Sequence, residues 1–258
     1  MSSKISEWDA KLYNEKHSFV YHYGQSLIEL LNPKPHQRIL DLGCGAGQLT
    51  FQISQLAKEV VGVDKSSEMI ADARSKFRNI TFEIQDASNF EFKNKFDCIF
   101  SNATLHWVKN YRSAAHCMYN NLKPNGKIVV EFGGKGNVEI IVNQLRDSLL
   151  QRNYVEQANV QPWYFPSIGE YASVLEEQGF KVISAEHYQR PTELADQNAG
   201  IIDWLTMFAK NFFYEVSYAD QKAICKEVQE RLKDKCFHKD KWFADYKRIR
   251  IVASKEEY

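Results

Sequence analysis

Three glycines at alternate positions, directly after a short apolar run, constrain this chain more than any other feature. The run is residues 39–42, which contains the acid Asp41, and the glycines are Gly43, Gly45 and Gly47. A strand that ends at a glycine-rich turn and leads into a helix brings backbone N–H groups close to a ligand, because glycine has no Cβ. The segment therefore predicts a cofactor-binding loop.

The spacing of these glycines argues against a dinucleotide. The dinucleotide fingerprint is G-x-G-x-x-G, whereas the spacing here is G-x-G-x-G and Gln48 stands where the third glycine would fall. Asp41 would place negative charge near a pyrophosphate but suits a ligand with a positive amino group, such as S-adenosylmethionine (SAM). The segment resembles the class I SAM-dependent methyltransferases, whose first motif is a D/E-x-G-x-G-x-G loop. A nicotinamide-dependent oxidoreductase stays open as an alternative.

A second acid closes the next predicted strand, residues 60–63. Asp64 lies 17 residues beyond Gly47, near the ~20-residue offset at which an acid binds ribose hydroxyls in nucleoside-binding βαβ units. A carboxylate can accept two O–H donors from one cis-diol, so ribose binding is our interpretation. The alternative is that Asp64 only caps the following helix. Cys44, Lys65 and Met69 are further cofactor-binding candidates in these two motifs.

A third acid follows the alternating residues Ile80, Phe82 and Ile84. The resemblance implies that an acid at this strand end faces the adenine amino group, with the next backbone N–H beside it. Asp86 and Ala87 match those two positions. The alternative is a solvated loop acid, because single aspartates are common in turns.

Residues 96–101 form the fourth predicted strand. We expect the segment that follows it to face the transferred methyl group, because ligands of open α/β sheets bind at the carboxyl ends of the strands. Asn102 and Leu105 are predicted to contact the cofactor there, and His106 and Trp107 the reacting centre. An aromatic face can also attract a sulfonium cation. As alternatives, Leu105 and Trp107 are simply core residues, and His106 only hydrogen-bonds the backbone of its loop.

Composition limits the possible partners and the compartment. The chain has 258 residues, 44% of them hydrophobic, and its 33 Lys and Arg balance its 33 Asp and Glu without any basic run, so neither nucleic acid nor an anionic membrane is predicted as a partner. The N-terminus lacks the apolar region of a signal peptide, and no apolar stretch approaches the ~18 residues that span a bilayer. Five cysteines without a C-x-x-C pair predict reduced thiols in a cytoplasmic protein without a metal site.

The predicted fold is α/β: a Rossmann-like, doubly wound, mostly parallel seven-stranded sheet with an antiparallel last strand and a helical cap. We expect a single domain over residues 1–258, a monomer or weak homodimer, with a core of about 33–190 and 246–255. The cap comprises 1–31 and about 192–245. An insertion between the last two strands would lie over the strand ends and could close the pocket, or its aromatic residues only pack on one another.

The resemblance can be narrowed. Residues 7–13, 101–107, 165–167 and 201–204 look like the trans-aconitate methyltransferases, and residues 105–108 are also similar to the juvenile hormone acid methyltransferases. The malonyl-carrier-protein methyltransferases of biotin synthesis share the pattern, and all three groups make methyl esters of carboxylates. This implies that Trp8 and Tyr13 fold over the cofactor or substrate. The trans-aconitate enzymes carry glutamine where this chain has His106.

These observations predict an enzyme that transfers a methyl group from SAM to the carboxylate oxygen of a small organic acid. A carboxylate is already ionised at pH 7, so the enzyme needs to position the reactants rather than supply a base. His106, Trp107 and Tyr13 are the catalytic candidates, and Trp8, Arg146, Arg190 and Trp204 are the substrate candidates. For a hydroxyl, amine or carbon acceptor, His106 would be the natural base. A non-catalytic SAM-binding protein is a further alternative.

Overall fold

The structure is a computed structural model that describes residues 19–256. Its contacts divide the chain into two compact units. The sheet unit contains residues 20–135, 163–188 and the described residues from 248 onwards. The helical unit contains residues 136–162 and 189–247 of the described chain. We describe each unit by itself.

Strands and helices alternate through the first part of the chain, which is the pattern of a parallel α/β sheet. The strands are β1 Arg38–Leu42, β2 Glu59–Asp64, β3 Thr81–Ile84, β4 Phe96–Asn102, β5 Leu122–Gly133, β6 Phe180–Gln189, β7 Thr192–Glu193, β8 Phe237–His238, β9 Lys241–Ala244 and β10 Lys247–Lys255. The α-helices are α1 Phe19–Leu31, α2 Gln48–Ser54, α3 Ser67–Lys76, α4 Tyr111–Asn121, α5 Glu139–Leu150, α6 Val155–Ala158, α7 Ile168–Glu177, α8 Gly200–Phe208 and α9 Tyr218–Cys236. Two 3-10 helices lie at Leu105–Trp107 and Lys210–Phe213.

The sheet unit is a seven-stranded sheet in the order β3-β2-β1-β4-β5-β10-β6. The pairs β1–β2, β2–β3, β1–β4 and β4–β5 are parallel, and β10 runs antiparallel to β5. The predicted fold is confirmed. The strand order reverses at β1, which has β2 on one side and β4 on the other, and such a switch point opens a ligand crevice at the carboxyl ends of the strands. Gly43 to Gly47 follow β1 at that edge.

Both faces of this sheet are buried, as expected for parallel strands that read as continuous apolar runs. Adjacent residues of β1 illustrate the alternation: Ile39 packs in one hydrophobic cluster and Leu40 in the other. Residues 124–126 lie within β5, where Asn125 has a φ of 61° and the pairing with β4 shifts register between Phe96 and Cys98. Alternate side chains of β1 therefore pack on opposite faces of the sheet. The register shift between β4 and β5 lies far from the carboxyl edge.

The helical unit is built on α5, α8 and α9, with α9 contacting both other helices. It also contains a three-stranded sheet in the order β7-β9-β8, which the sequence did not predict, because strands of two to four residues carry no recognisable alternation. Contacts group residues 136–162 with this unit rather than with the core to which we had assigned them, because α5 packs on α9. Helix α1 groups with the sheet unit rather than with the cap. The prediction of one domain stays a prediction.

In the part of the chain that the structure describes, every helix is too short or too polar to traverse a membrane.

Candidate active site

The glycine loop connects the ends of β1 and β2. Gly43, Gly45 and Gly47 have φ angles of 79°, 53° and 85°, the left-handed region that glycine adopts without strain. The N–H groups of Gly43 and Cys44 both donate to the carbonyl oxygen of Val63, at 2.7 and 2.9 Å. Gly47 is the N-cap residue of α2. Backbone hydrogen bonds to Val63 therefore hold the loop, and its left-handed φ angles favour glycine at these three positions.

Two of these glycines meet different surroundings. A Cβ atom at Gly43 would lie 2.1 Å from Thr104 Oγ1, so this glycine is required by internal packing. A Cβ atom at Gly45 would meet no described atom within 4 Å. Gly45 therefore leaves open space directly over the main chain, which is the cradle that a ligand lying on this loop would need.

Asp64 ties the glycine loop to the start of α3. Its Oδ2 accepts the N–H of Gly45 and its Oδ1 the N–H of Ser66, both at 2.9 Å. Burial raises the pKa of the carboxyl group. The N-cap position of α3 is taken by Ser66, whose Oγ accepts the N–H of Met69 at 3.2 Å, so Asp64 is not the cap that we had considered as its alternative role. A carboxylate has about four lone-pair sites, so these two bonds leave capacity for a diol.

Asp41 is buried beneath the loop with 2% of its surface exposed. Burial raises the pKa of this carboxyl group to about 7; the hydrogen bond from Thr50 opposes the rise and the charge of Asp64 adds to it. Thr50 Oγ1 donates to Asp41 Oδ2 at 2.6 Å. Burial of the ionised carboxylate destabilises the folded protein. Asp41 is therefore a candidate functional residue, because carboxyl groups with strongly shifted pKa values are concentrated at functional sites.

We expect Asp41→Asn to make the protein more stable above neutral pH. The folded-state pKa lies above the unfolded value of 3.8, so the free energy of unfolding of the wild type falls as pH rises from about 4 to about 7. Asparagine keeps an acceptor for Thr50 and does not ionise. At pH 8 the variant should gain as much as about 4 kcal/mol, from ~1.4 kcal/mol per pKa unit.

Urea unfolding of both proteins between pH 4 and pH 8 measures this effect. The difference between the two curves isolates Asp41 from every other titrating group. A difference that is constant with pH would mean that Asp41 ionises normally in the folded protein.

Asp86 is held at the end of β3 by polar neighbours. Its Oδ1 accepts from the N–H and Oγ of Ser88, and its Oδ2 accepts from Lys65 Nζ at 2.8 Å. Burial raises its pKa, but the bonds from Lys65 and Ser88 outweigh burial and lower it to about 2. Asp86 is therefore anionic at neutral pH. The side chain of Lys65 is largely exposed. Asp86 stays a candidate for binding adenine, and Lys65 stays a candidate for binding the cofactor. Ala87 beside them is buried.

The segment that follows β4 is pinned to the glycine loop. Asn102 is the last residue of β4 and is buried. Thr104 Oγ1 donates to the carbonyl oxygen of Gly43 at 3.1 Å. Leu105 is 2% exposed and belongs to the main hydrophobic cluster, so any contact with the cofactor would be made from within this cluster. Trp107 is half-buried, so one part of its ring packs and another part reaches the surface.

His106 is buried beside a cation that the sequence analysis missed. Burial lowers the pKa of its imidazole well below 6.5, and the positive charge of Arg248 lowers it further. The N–H of Gly133 donates to Nδ1 at 3.4 Å, so the neutral ring carries its proton on Nε2. Arg248 is 3% exposed and lies opposite Gly133 in the β5–β10 register. An arginine in the apolar last strand was the signal that could have identified it.

The other arginine candidates lie in the helical unit. Arg146 Nη2 donates to the carbonyl oxygen of Val160, and its guanidinium lies 5.8 Å from the ring centroid of Phe212. Arg190 is buried. Trp204 is 1% exposed and its indole N–H donates to Tyr246 Oη at 2.8 Å, which favours a packing role over a substrate contact. Trp8 and Tyr13 lie outside the described residues.

Comparison with known proteins agrees with this geometry. The methyltransferase domain family matches residues 33–179, more than half of the chain. The chain belongs to this methyltransferase family. The predicted class, a SAM-dependent methyltransferase with SAM as the methyl donor, is confirmed.

Three relatives show how far the similarity extends. An uncharacterized methyltransferase of Schizosaccharomyces pombe is 35% identical over 263 residues, 96% of this chain and 98% of that protein. Trans-aconitate 2-methyltransferase of Escherichia coli is 26% identical over 239 residues, 89% of this chain and 90% of the enzyme. The structure of phosphoethanolamine N-methyltransferase 2 of Haemonchus contortus, solved with phosphomonomethylethanolamine and S-adenosylhomocysteine, is 20% identical with a TM-score of 0.58 and covers 96% of this chain and 57% of its own. The last similarity concerns the fold alone.

Proposed function

We propose that this methyltransferase esterifies the carboxylate of a small organic acid. The observation that carries the proposal is that the buried cation Arg248 lies opposite Gly133 at the carboxyl edge of the sheet, and the N–H of Gly133 donates to Nδ1 of the buried His106. This pair attracts an anion and is a poor acceptor of protons. Trans-aconitate 2-methyltransferase, similar over most of the chain, is named for an acid acceptor and supports the same class of substrate.

The cofactor would be held along the carboxyl ends of β1 to β4. Gly45 supplies the open cradle, Asp41 an acceptor for the amino group, Asp64 acceptors for the ribose diol and Asp86 an acceptor for the adenine amino group. When bound, SAM supplies an activated methyl group, whose C–S bond breaks with its electron pair going to sulfur as a carboxylate lone pair forms the new C–O bond. The full proposed set is Asp41, Gly43, Cys44, Gly45, Asp64, Lys65, Met69, Asp86, Ala87, Asn102 and Leu105.

Methylation of a carboxylate does not require His106 to act as a general base. A general base is most effective when its pKa lies near the working pH, and the pKa of His106 is well below 6.5. A carboxylate is ionised at neutral pH and releases no proton on esterification. His106 can instead orient the acceptor by donating its Nε2–H, and the guanidinium of Arg248 has five N–H donors, so it can serve an anion in addition to its neighbours in the fold.

A hydroxyl, amine or carbon acceptor is the second candidate. It would need the proton removed, and His106 is the group placed at the predicted reacting centre. The two candidates differ in product chemistry. Tritiated SAM should transfer its label to organic acids in a product that mild base hydrolyses, releasing labelled methanol. Label that resists base would contradict esterification.

We expect His106→Gln to lower kcat by less than about tenfold and to leave the shape of the pH–rate profile intact. Glutamine can still accept the N–H of Gly133 and donate to an acceptor, although it cannot take up a proton. Loss of a true general base costs ~10²–10⁴ in rate. The measurement is kcat and KM between pH 5.5 and pH 9 with the best acid of the panel.

His116→Gln is the matched control, because His116 is an exposed histidine on α4, where its Nδ1 and Nε2 contact Gln178 and Asn120. A loss of 100-fold or more at His106 alone, together with disappearance of the acidic limb of the profile, would assign His106 as the base and favour the second candidate.

A further inference from the structure

We propose that the acceptor acid has a planar, unsaturated or aromatic apolar body and a single carboxylate, and that Trp107, Trp163 and Phe165 form the surface on which this body packs. We call these three rings the aromatic platform. The inference rests on the proposed function, because it concerns the body of the acid whose carboxylate is esterified.

The rings of the platform contact one another and His106. Trp107 meets Trp163 edge to face, with ring centroids 5.7 Å apart and an interplanar angle of 67°. Trp163 and Phe165 are nearly parallel at 18°, with centroids 5.6 Å apart. His106 lies 5.7 Å from Phe165 and 5.5 Å from Trp107. Two rings of the platform, those of Trp107 and Phe165, therefore contact the imidazole that we place next to the reacting carboxylate.

The platform is not an ordinary piece of the hydrophobic core. Its three rings are half-buried, whereas Leu105 in the same turn is 2% exposed. Contiguous, partly accessible aromatic surface is a common feature of ligand-binding sites. The platform is also near the carboxyl edge of the sheet, because the turn that contains Trp107 follows β4 directly.

The backbone that carries the platform is fixed on both sides of Phe165. The N–H of Tyr164 donates to the carbonyl oxygen of His106 at 2.8 Å, and the N–H of Lys135, just after β5, donates to the carbonyl oxygen of Pro166 at 2.9 Å. A surface that is already ordered costs little conformational entropy when a ligand binds to it. Rigid aromatic faces favour flat partners, because stacked or edge-to-face rings attract one another beyond the effect of the area they bury.

One buried arginine of the described part of the sheet unit, Arg248, lies opposite Gly133, whose N–H donates to His106 Nδ1. A single guanidinium can bind one carboxylate through two parallel hydrogen bonds. Each additional carboxylate of a tricarboxylic acid would have to leave water for a surface of aromatic rings, and burial of an unpaired carboxylate is strongly unfavourable. The aromatic platform therefore favours an acid with one carboxylate over a polycarboxylate.

Binding of three acids to the full-length protein saturated with S-adenosylhomocysteine tests the inference. The probes are trans-cinnamate, which is flat with one carboxylate, 3-cyclohexylpropanoate, which is saturated with one carboxylate, and trans-aconitate, which carries three carboxylates. Calorimetry and tryptophan fluorescence give the affinities. We expect trans-cinnamate to bind at least tenfold more tightly than either of the others.

Variants then locate the effect on the platform. Phe165→Leu and Trp163→Leu should each weaken trans-cinnamate binding by about five- to tenfold and change 3-cyclohexylpropanoate binding less. Tyr214→Leu is the matched control, an exposed aromatic residue of the helical unit. If the platform variants lower thermal stability but leave the ratio of the two affinities intact, the rings are structural and the inference is overturned.

Ester formation, measured separately with tritiated SAM, distinguishes this inference from the proposed function. Fastest esterification of trans-aconitate would uphold carboxyl methylation and overturn the platform preference. If the acids bind in the expected order but none yields a base-labile product, the preference stands and carboxyl methylation fails.

Discussion

Asp64→Ala is expected to weaken the binding of S-adenosylhomocysteine by about 100-fold, the largest effect on ligand binding that we predict. The variant removes the acceptor for the ribose diol and also the bond that holds Gly45, at 2.9 Å. Hydrogen bonds to a charged group contribute ~1.5–3 kcal/mol each, and 100-fold in affinity corresponds to about 2.7 kcal/mol. Isothermal titration calorimetry gives the dissociation constant directly.

Two further variants separate ligand binding from folding. Asp64→Asn retains one acceptor oxygen and should lose less affinity than alanine while keeping the loop in place. Asp72→Ala, in helix α3, removes an acid that pairs with Lys76 on the same helix, and it should bind like the wild type. Unchanged affinity in Asp64→Ala would reject the role of this residue in ribose binding.

Alanine substitution at two glycines of the loop should produce different defects: Gly43→Ala should lower the stability of the fold, and Gly45→Ala should weaken ligand binding. Gly43→Ala is expected to destabilise the protein by about 3 kcal/mol or more, because a left-handed alanine costs ~1–2 kcal/mol and crowding in a packed site ~1–3 kcal/mol. The new Cβ would lie 2.1 Å from Thr104 Oγ1 and 2.5 Å from Thr104 Cβ. Urea unfolding should show this loss for Gly43→Ala.

Gly45→Ala should stay folded and lose its ligand. Its φ of 53° adds ~1–2 kcal/mol of strain, but no described atom lies within 4 Å of the new Cβ. The methyl group would enter the space that we assign to the cofactor, so affinity for S-adenosylhomocysteine should fall at least tenfold in calorimetry. Gly45→Ala binding with wild-type affinity would mean that the open space over this residue is not the cofactor cradle.

Much of the cofactor half of this protein could be predicted because its signals are local. The glycine spacing and the two acids at strand ends lie within one βαβ segment, and the left-handed φ angles of Gly43, Gly45 and Gly47 are what their residue type allows. Continuous apolar runs predicted buried parallel strands. The predicted fold already contained a mostly parallel seven-stranded sheet with an antiparallel last strand. The interpretation of Asp64 as a ribose acceptor could be formulated without tertiary contacts, whereas its bond to the N–H of Gly45 was visible only in the structure.

The acceptor half carries fewer local signals. Arg146 and Arg190 stay predictions from composition, and the structure adds Arg248, whose charge lowers the pKa of His106. That neighbour is brought in by β10, which inserts antiparallel next to β5, and nothing local in the sequence shows which residue of β10 faces Gly133. The grouping of residues 136–162 with the helical unit likewise depends on which face of α5 finds a partner.

The sequence by itself determined the class of cofactor loop, the strand-end acids and the methyltransferase family. These features depend on backbone conformation and strand burial, which residue type and short-range periodicity largely determine. Only the tertiary structure decided the ionisation of Asp41, the neutral state of His106 and its pairing with Arg248. A pKa is set by the water that is excluded and the charges brought near, and both depend on residues that are distant in the chain.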